Sequence, residues 1–476
     1  MAEQIQQPVK KQVSRTPPSA GDRWLLRGYL LLLFWAPLPL GSNRPWAWGL
    51  LECWTFLLLT VWLIRRWLSQ PCRDLLEDSA IRPFRPAIVL LLLAAIYPLW
   101  QTIPWPESLL TLLSPTTVHM RQLVGISHQP GTISLDPHVT RVEWLKGMAY
   151  LSIFWLTLVL PRSRKDVRQL IWVLLASGMV QVGIHLLSLE SNPNRDVHGS
   201  FVNRNHLAGF LELILPVALA LLRSEHQTRE AGIGWQDRLH RVLGLISGRP
   251  GLLFGVCVAM AITLFLTQSR GGNGSLLLAL LLVAALPGKD AQHTPHVFRS
   301  RMVILLLAVL FMAGTSAGLG QLAGRYLDTD VQQEGRLAVL ATAVEIVRAY
   351  PLFGSGSGTF FFVYPRYQHE SLSKVLFDHA HNDHLEFLTD RGIIGYGLLV
   401  AGILHCWWYI ARAHQTRRDP LASALLYASL VATLSLVLHG LTDFNFQIPA
   451  NALHFMVLLG MGLRGVRLAP ADRHVV

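Results

Sequence analysis

The sequence predicts an all-α polytopic membrane protein of about twelve transmembrane helices, with a large extracytoplasmic loop containing amphipathic helices between spans nine and ten. Three observations lead there. Hydrophobic residues make up 51% of the 476 and charged residues only 15%, against roughly a quarter charged in an ordinary soluble domain. Apolar runs such as LLRGYLLLLFWAPLPLG and AIVLLLLAAIYPLW approach the roughly 20 residues that cross a bilayer. Basic residues also sort to one side once the spans are placed.

Taken in order, residues 1–24 are polar and contain prolines, with no cleavage signal after an apolar run. They read as a disordered cytoplasmic tail. Residues 25–322 hold spans one to nine, centred near Phe34, Leu57, Leu92, Ile153, Ala176, Leu215, Ala259, Ala279 and Ala308. The eighth, GSLLLALLLVAALP, is short and is expected to tilt or to sit in a thin bilayer. Residues 323–386 form the large loop, and 387–467 hold spans ten to twelve, centred near Val400, Ser429 and Val457.

The formal net charge of +12 invites a nucleic-acid partner until its sources are placed. With both termini cytoplasmic, 28 of the 41 Lys and Arg fall in the cytoplasmic segments, although the outer loops are the longest. This is the positive-inside pattern, and it accounts for the charge without nucleic acid. Of the four cysteines, Cys53, Cys257 and Cys406 sit within spans and Cys72 is cytoplasmic. No extracytoplasmic disulfide is expected.

Two outer loops are long, 104–143 and 323–386. In the second, residues 335–350 read as an amphipathic helix with Leu337, Leu340, Val344 and Val347 on its apolar side. It stops at Tyr350-Pro351, and the Gly-Ser run 354–358 turns the chain. HAHNDHLEFLTDRGIIGYG (379–397) closes the loop. The same face receives Arg270 in LTQSRGGNGS, and Arg195, Asn203, Arg204, Asn205 and His206 in NRDVHGSFVNRNHLAGF. Asp443 and Asn445 in HGLTDFNFQIPAN complete it. Ionisable groups near a bilayer are costly, so four polar clusters on one face mark a functional site.

That face has no ATP or nucleotide sugars, so a group-transfer enzyme there needs a donor carrying its own leaving group. A pyrophosphate calls for guanidinium groups, which bind phosphate oxygens bidentately. Arg270 and Arg336 suit the task, although a single such arginine is more commonly one snorkelling to headgroups. An acceptor hydroxyl needs a proton acceptor, for which histidine is suited. If 381–390 is helical, His381, His384, Leu385 and Leu388 share one side. His379 reads as bonded within its own loop, and His384 as either that or part of the site. Zinc on His379, His381 and His384 is a third reading, but no H-E-x-x-H is present and no metal is expected. Glu212, inside span six, reads either as a transport residue or as a carboxylate hydrogen-bonded within the bundle or lining the active-site cavity.

At these residues the chain resembles the O-antigen ligase and O-antigen polymerase superfamily of membrane glycosyltransferases. The resemblance rests on His381-Asn382, nine residues, then Gly392 and Gly395, at the end of the large outer loop. Ser269-Arg270-Gly271, Gly335-Arg336, the Pro351-x-x-Gly354-x-Gly356 turn and Asn203-Arg204-Asn205 extend it over roughly residues 195–460. Twelve spans is the number usual in that family.

The resemblance implies a metal-independent, inverting transfer at the periplasmic face of a bacterial inner membrane. The donor would be an undecaprenyl-pyrophosphate-linked glycan, with Arg270 and Arg336 on the pyrophosphate and His381 activating the acceptor hydroxyl. Asn203, Arg204, Asn205, Asn382, His384 and Asp443 would support the site. No cofactor is implied, and membrane lipids are the remaining partners. The favoured acceptor is lipid A–core, in lipopolysaccharide biosynthesis. A polymerase extending repeat units and a protein O-oligosaccharyltransferase carry the same motifs. From a different class, a transporter would place charges near the midplane on broken, repeated helices; no such repeat is visible. A non-catalytic scaffold of a polysaccharide assembly complex is the third reading.

Overall fold

The computed structural model describes residues 20–69, 81–126, 130–191, 198–227, 248–286, 329–368 and 377–469. Among the described residues there are fifteen α-helices and no strand, only a lone bridge between Trp105 and Gly131. In chain order they are α1 (Ala20–Trp35), α2 (Pro45–Ser69), α3 (Arg85–Gln101), α4 (Glu107–Leu113) and α5 (Pro115–Leu123). Next come α6 (Pro137–Val159), α7 (Arg164–Ser191), α8 (Arg204–Gln227), α9 (Gly248–Leu266) and α10 (Arg270–Ala285). The last five are α11 (Thr329–Ala349), α12 (Phe360–Tyr367), α13 (Asp383–Thr416), α14 (Pro420–His439) and α15 (Pro449–Arg467).

Eight helical segments are long and apolar enough to cross a membrane: Pro45–Leu68, Arg82–Gln101, Pro137–Val159, Arg164–Ser188, Arg204–Glu225, Gly248–Leu266, Asp383–Thr416 and Pro420–His439. Eleven of the twelve span centres read from the sequence fall on described helices. The ninth, near Ala308, lies outside the described residues, as do Cys72, Arg195 and residues 1–19. Helix α1 begins at Ala20, before the tail boundary expected at 24, and Asp22 in its first turn pairs with Arg162 at 2.8 Å. The bundle is organised around α8, whose membrane window is 94% buried, with α14 beside it at 78%. The other spans bury half or less of theirs and turn the rest outward.

Helix α11 forms where the amphipathic pattern places it, but it buries a different face. Val339, Ala343, Ile346 and Tyr350 are inside, while Leu337 is 67% exposed. Both stripes satisfy the helical period. The buried face packs with Phe360, Val363 and Tyr364 of α12 in one apolar cluster.

Helix α13 is kinked at Gly392, whose φ of 61° and ψ of −176° suit only glycine. The break frees the carbonyls of Thr389 and Asp390 and the amides of Ile393 and Ile394. The turn 351–356 takes up all four. Ser355 N–H donates to Thr389 O at 2.9 Å and Gly356 N–H to Asp390 O at 3.0 Å. Ile393 and Ile394 N–H donate to the carbonyls of Pro351 and Leu352 at 2.9 and 3.2 Å. A methyl group on Gly354 would lie 2.3 Å from the Asp390 backbone, and one on Gly392 2.4 Å from that of Leu352. One on Gly395 would lie 2.4 Å from the Tyr97 ring of α3. The Pro-x-x-Gly-x-Gly turn and the Gly-x-x-Gly pair are therefore the two halves of one backbone joint. Gln101 and Asp390 seal it. Gln101 donates to the carbonyls of Phe353 and Asp390 at 2.7 and 2.9 Å and accepts from Ser357 N–H at 3.0 Å. The Asp390 carboxylate accepts from the amides of Gly358 and Phe360 at 2.6 and 3.0 Å.

Candidate active site

Three helices begin at one place, each with its own cap. Asn203 Oδ1 accepts from Asn205 N–H at 2.8 Å as α8 starts. Ser269 Oγ accepts from Gly272 N–H at 3.2 Å as α10 starts, and Asn382 Oδ1 accepts from Leu385 N–H at 3.0 Å as α13 starts. Such caps satisfy amides that a helix start leaves open. All three ends meet the turn 439–446. Asn205 Nδ2 donates to Asp443 Oδ2. A methyl on Gly271 would lie 2.4 Å from the Thr442 hydroxyl and 2.9 Å from the His439 ring. Asp383 N–H donates to Gly440 O at 2.8 Å, and its carboxylate accepts from Phe446 N–H at 3.0 Å. Asn382 Nδ2 completes the clasp by donating to Leu441 O at 2.9 Å.

The motifs now have physical reasons. In Asn-x-Asn the first residue caps α8 and the second holds Asp443. In Ser-Arg-Gly the serine caps α10, and the absent side chains of Gly271 and Gly272 leave room for His439 and for Glu212, whose Oε1 would be 2.6 Å from a methyl on Gly272. In His-Asn the asparagine caps α13.

His381 therefore lies before the helix rather than on it. It has φ 50°, the left-handed region, which is unfavourable for a residue with a side chain. The expectation of a helical face shared by His381 and His384 is corrected: the Asn382 cap ends the helix between them. The conformation turns the His381 imidazole toward Asp443, with Nδ1 buried, no hydrogen-bond partner, and 3.8 Å from Asp443 Oδ1. That separation is an ion-pair approach, longer than a hydrogen bond. Phe444 lies at the centre of the histidines. The His379 ring stacks on it at 4.3 Å, and His206 and His381 meet its face or edge at 4.8 and 5.0 Å.

The three histidines of the opening motif have different environments. His379 Nδ1 donates to Glu386 Oε1 at 2.7 Å, and the other Glu386 oxygen accepts from Ala380 N–H at 2.8 Å. Burial would favour neutral imidazole, but Glu386, with help from Asp378 and Asp383, outweighs it and raises the His379 pKa to about 9. His384 donates from Nε2 to Val437 O at 2.8 Å and so accepts at Nδ1 from the Tyr396 hydroxyl at 2.6 Å. Both its ring nitrogens are taken. His381 keeps its Nδ1 unmatched beside the Asp443 carboxylate. Asp443 is 1% exposed. Burial favours its protonated form, but the imidazoles of His381, His206 and His439 and the Phe444 amide together hold its pKa below the usual carboxylate range.

Beneath the turn, Glu212 binds His439 Nδ1 at 2.8 Å and accepts from Ser435 Oγ at 2.6 Å. Its carboxylate is hydrogen-bonded inside the bundle, the second of the two readings its sequence position allows. Asn451 Nδ2 bridges Asn445 Oδ1 and His206 O, each at 3.0 Å.

Arg270 is exposed at the first position of α10, and Arg204 is half-buried at the start of α8. Arg336 falls on α11, but its side chain lies outside the described residues. Sequence reasoning missed Glu386, Asp383, Phe444 and His439 as site components. His439 was findable as a histidine at the end of an apolar span, but Glu386 and Asp383 look from sequence like a solvated first turn.

Residues 255–400 match the family model described as O-antigen ligase. The match spans α9 to the middle of α13, and so takes in Arg270, Arg336, His381 and the joint at Gly392, leaving Asn205 and Asp443 outside it. No curated protein matches the chain. The family supports glycosyltransferase activity of the O-antigen ligase or polymerase type, with a lipid-linked glycan and an acceptor as substrates, and the apolar helices support a multi-pass membrane protein. Over residues 255–400 the chain thus matches the O-antigen ligase family, and that stretch holds every motif on which its resemblance to the superfamily was read except Asn203-Arg204-Asn205.

Proposed function

We propose that the protein transfers glycan from undecaprenyl pyrophosphate to an acceptor hydroxyl at the periplasmic face of the bacterial inner membrane. The lipid A–core of lipopolysaccharide is the favoured acceptor. In this reading the chain crosses the membrane twelve times with both termini cytoplasmic, and residues 323–386 are its large periplasmic loop. The observation that carries the reading is the meeting of three capped helix N-termini with Arg270 and His381 around the turn 439–446. Helix starts offer open amides and positive dipole ends, which suit a pyrophosphate.

His381 is the proton acceptor. With Nδ1–H turned to Asp443, its Nε2 is the nitrogen that takes the acceptor proton. The acceptor oxygen bonds to the anomeric carbon from the face opposite the pyrophosphate, the bond from that carbon to the phosphate oxygen breaks, and undecaprenyl pyrophosphate leaves. Inversion follows from this single displacement. Arg270 and Arg336 hold the pyrophosphate and stabilise the charge that develops on it. Asn205 fixes Asp443, and Asn382 fixes the start of α13 beneath His381. The pyrophosphate is already a good leaving group, so positioning and charge stabilisation supply the catalysis, without a metal.

The test is reconstitution. Purified protein in liposomes receives undecaprenyl-pyrophosphate-linked glycan with and without lipid A–core, in EDTA and without nucleotide. Glycan on lipid A–core establishes the ligase. Lengthened glycan on the carrier instead means a polymerase, and glycosylated protein added as acceptor means an oligosaccharyltransferase. Glycan that crosses the membrane unchanged makes the protein a transporter. His381→Ala should lower transfer by at least about 100-fold, the scale of a lost general base, with the purified protein's thermal midpoint unchanged.

A further inference from the structure

Two aromatic side chains meet the His381 imidazole. Phe444 approaches at 5.0 Å and Phe377 at 6.4 Å, each steeply inclined to it. They differ in what else they touch. Phe444 is 7% exposed, and the His379 and His206 rings already lie against it. Phe377 is half-buried. It leans on the small apolar cluster of α11 and α12, where the Tyr364 ring meets it at 6.0 Å and 70°. Neither Tyr364 nor His381 lies parallel to Phe377, so neither stacks flat on its face.

The segment that carries Phe377 is held firmly. Two residues on, His379 is tied to Glu386 and stacked on Phe444. Ala380, fully buried, donates its N–H to the other Glu386 oxygen. Between these anchors and Phe377 stands Asp378, which is exposed and in electrostatic reach of His379. Consecutive residues thus set an aromatic ring and a carboxylate beside an imidazole that is itself 21% exposed.

A hydroxyl that gives its proton to His381 must come within about 2.8 Å of the ring nitrogen. That approach brings the group bearing the hydroxyl against the neighbouring aromatic ring. A pyranose has a face of weakly positive C–H bonds, and the face of a phenyl ring is its negative side. The rim of the same sugar carries adjacent hydroxyls, each with a proton to donate, and an ionised carboxylate is an acceptor only. A serine or threonine side chain offers no such face and a single donor. A phosphate or carboxylate on the sugar would meet Asp378 as a like charge.

We propose that Phe377 and Asp378 form the seat of the acceptor, and that the acceptor is a neutral pyranose with adjacent free hydroxyls. Phe377 stacks on its C–H face, and Asp378 accepts from hydroxyls flanking the one that reacts. The proposal rests on the glycosyl-transfer reading for the role of that hydroxyl, and its first test does not need transfer. Saturation-transfer difference NMR is recorded on the full-length protein in nanodiscs with methyl hexopyranosides, methyl glucuronide and N-acetylserine amide. The hexosides should be saturated chiefly at the C–H bonds of one ring face, and at least about fivefold more strongly than the other two probes. Phe377→Leu, which keeps the packing against Tyr364, should lower the hexoside signal at least about fivefold, the scale of one lost ring contact. Phe377→Trp should keep it.

Hexosides that give no saturation, or the same saturation in Phe377→Leu, overturn the seat. Equal saturation of the serine amide overturns the sugar as acceptor and favours a protein. Asp378→Asn, at an exposed position, should bring the glucuronide to within about twofold of the hexosides. If Phe377→Leu does not fold, that comparison decides, and an unchanged preference overturns the seat. In the reconstitution, Phe377→Leu should raise the KM for lipid A–core at least about fivefold, with kcat within about twofold and the donor KM unchanged. Transfer with an unchanged acceptor KM overturns the seat and leaves the glycosyltransferase reading standing. Hexoside binding that needs Phe377, without any transfer, upholds the seat and removes that reading.

Discussion

His381 occupies a left-handed backbone position that glycine or asparagine would fill at lower cost. The strain turns one imidazole toward Asp443. His381→Asn should therefore lose transfer yet match or exceed the native thermal midpoint, which separates chemistry from folding more cleanly than alanine does. The His379–Glu386 pair makes a pH prediction. A histidine whose pKa is raised by folding to about 9 contributes stability that is complete below its unfolded value of about 6.5. That contribution is lost as pH rises through 9. The thermal midpoint should fall between pH 7 and pH 10, and His379→Gln should flatten this part of the curve. Glu212→Ala leaves His439 buried without its carboxylate and should cost about 3–5 kcal/mol; adding His439→Leu should recover part of it, as a double-mutant cycle in detergent would measure. The residues legible in sequence were those that stand out against apolar surroundings: Arg270, Asn205, Glu212 and the histidines. Glu386 and Asp390 were not legible. An acid in the first turns of a helix reads as solvated, and only the folded chain shows that one binds His379 and the other the amides of Gly358 and Phe360.

At the scale of elements, the joint between the turn 351–356 and the kink of α13 fixes where the helix carrying the site points. Gly392→Ala should destabilise the protein by at least about 1–3 kcal/mol, from the backbone conformation alone, before the contact with Leu352 is added. Gly397→Ala, where an added Cβ would meet nothing, should leave the midpoint of the same thermal melt unchanged or raise it. The apolar runs located helices well, eleven of the twelve centres falling on one, because length and hydropathy are properties of a segment by itself. Which stripe of α11 is buried was not such a property. Leu337, Leu340, Val344 and Val347 make as good a period as Val339, Ala343, Ile346 and Tyr350. The choice between them belongs to the neighbours, here the apolar residues Phe360, Val363 and Tyr364. The break at Gly392 was visible only as a motif, since nothing local in LTDRGIIGYG says that a distant turn supplies the missing hydrogen-bond partners.

For the molecule as a whole, the reading of one polar face against one basic face is testable by labelling. A cysteine at Asp378, which is exposed beside the site, should react with a membrane-impermeant maleimide in intact spheroplasts. A cysteine at Arg418, between α13 and α14, should react only after lysis. The reverse pattern would place the site in the cytoplasm and remove the carrier-linked donor from its reach. The central helix was partly foreseeable. Helix α8 carries Glu212 within an apolar run, and an acid there belongs inside a bundle, but the 94% burial of its membrane window comes from packing that no single sequence displays. The joint at Gly392 also bears on protein engineering. Four backbone hydrogen bonds run between residues 351–356 and 389–394, and neither partner can use them alone. A chimera that borrows the outer segment of another glycosyltransferase to change its acceptor should be cut outside both stretches, so that the two halves of the joint travel together as one graft.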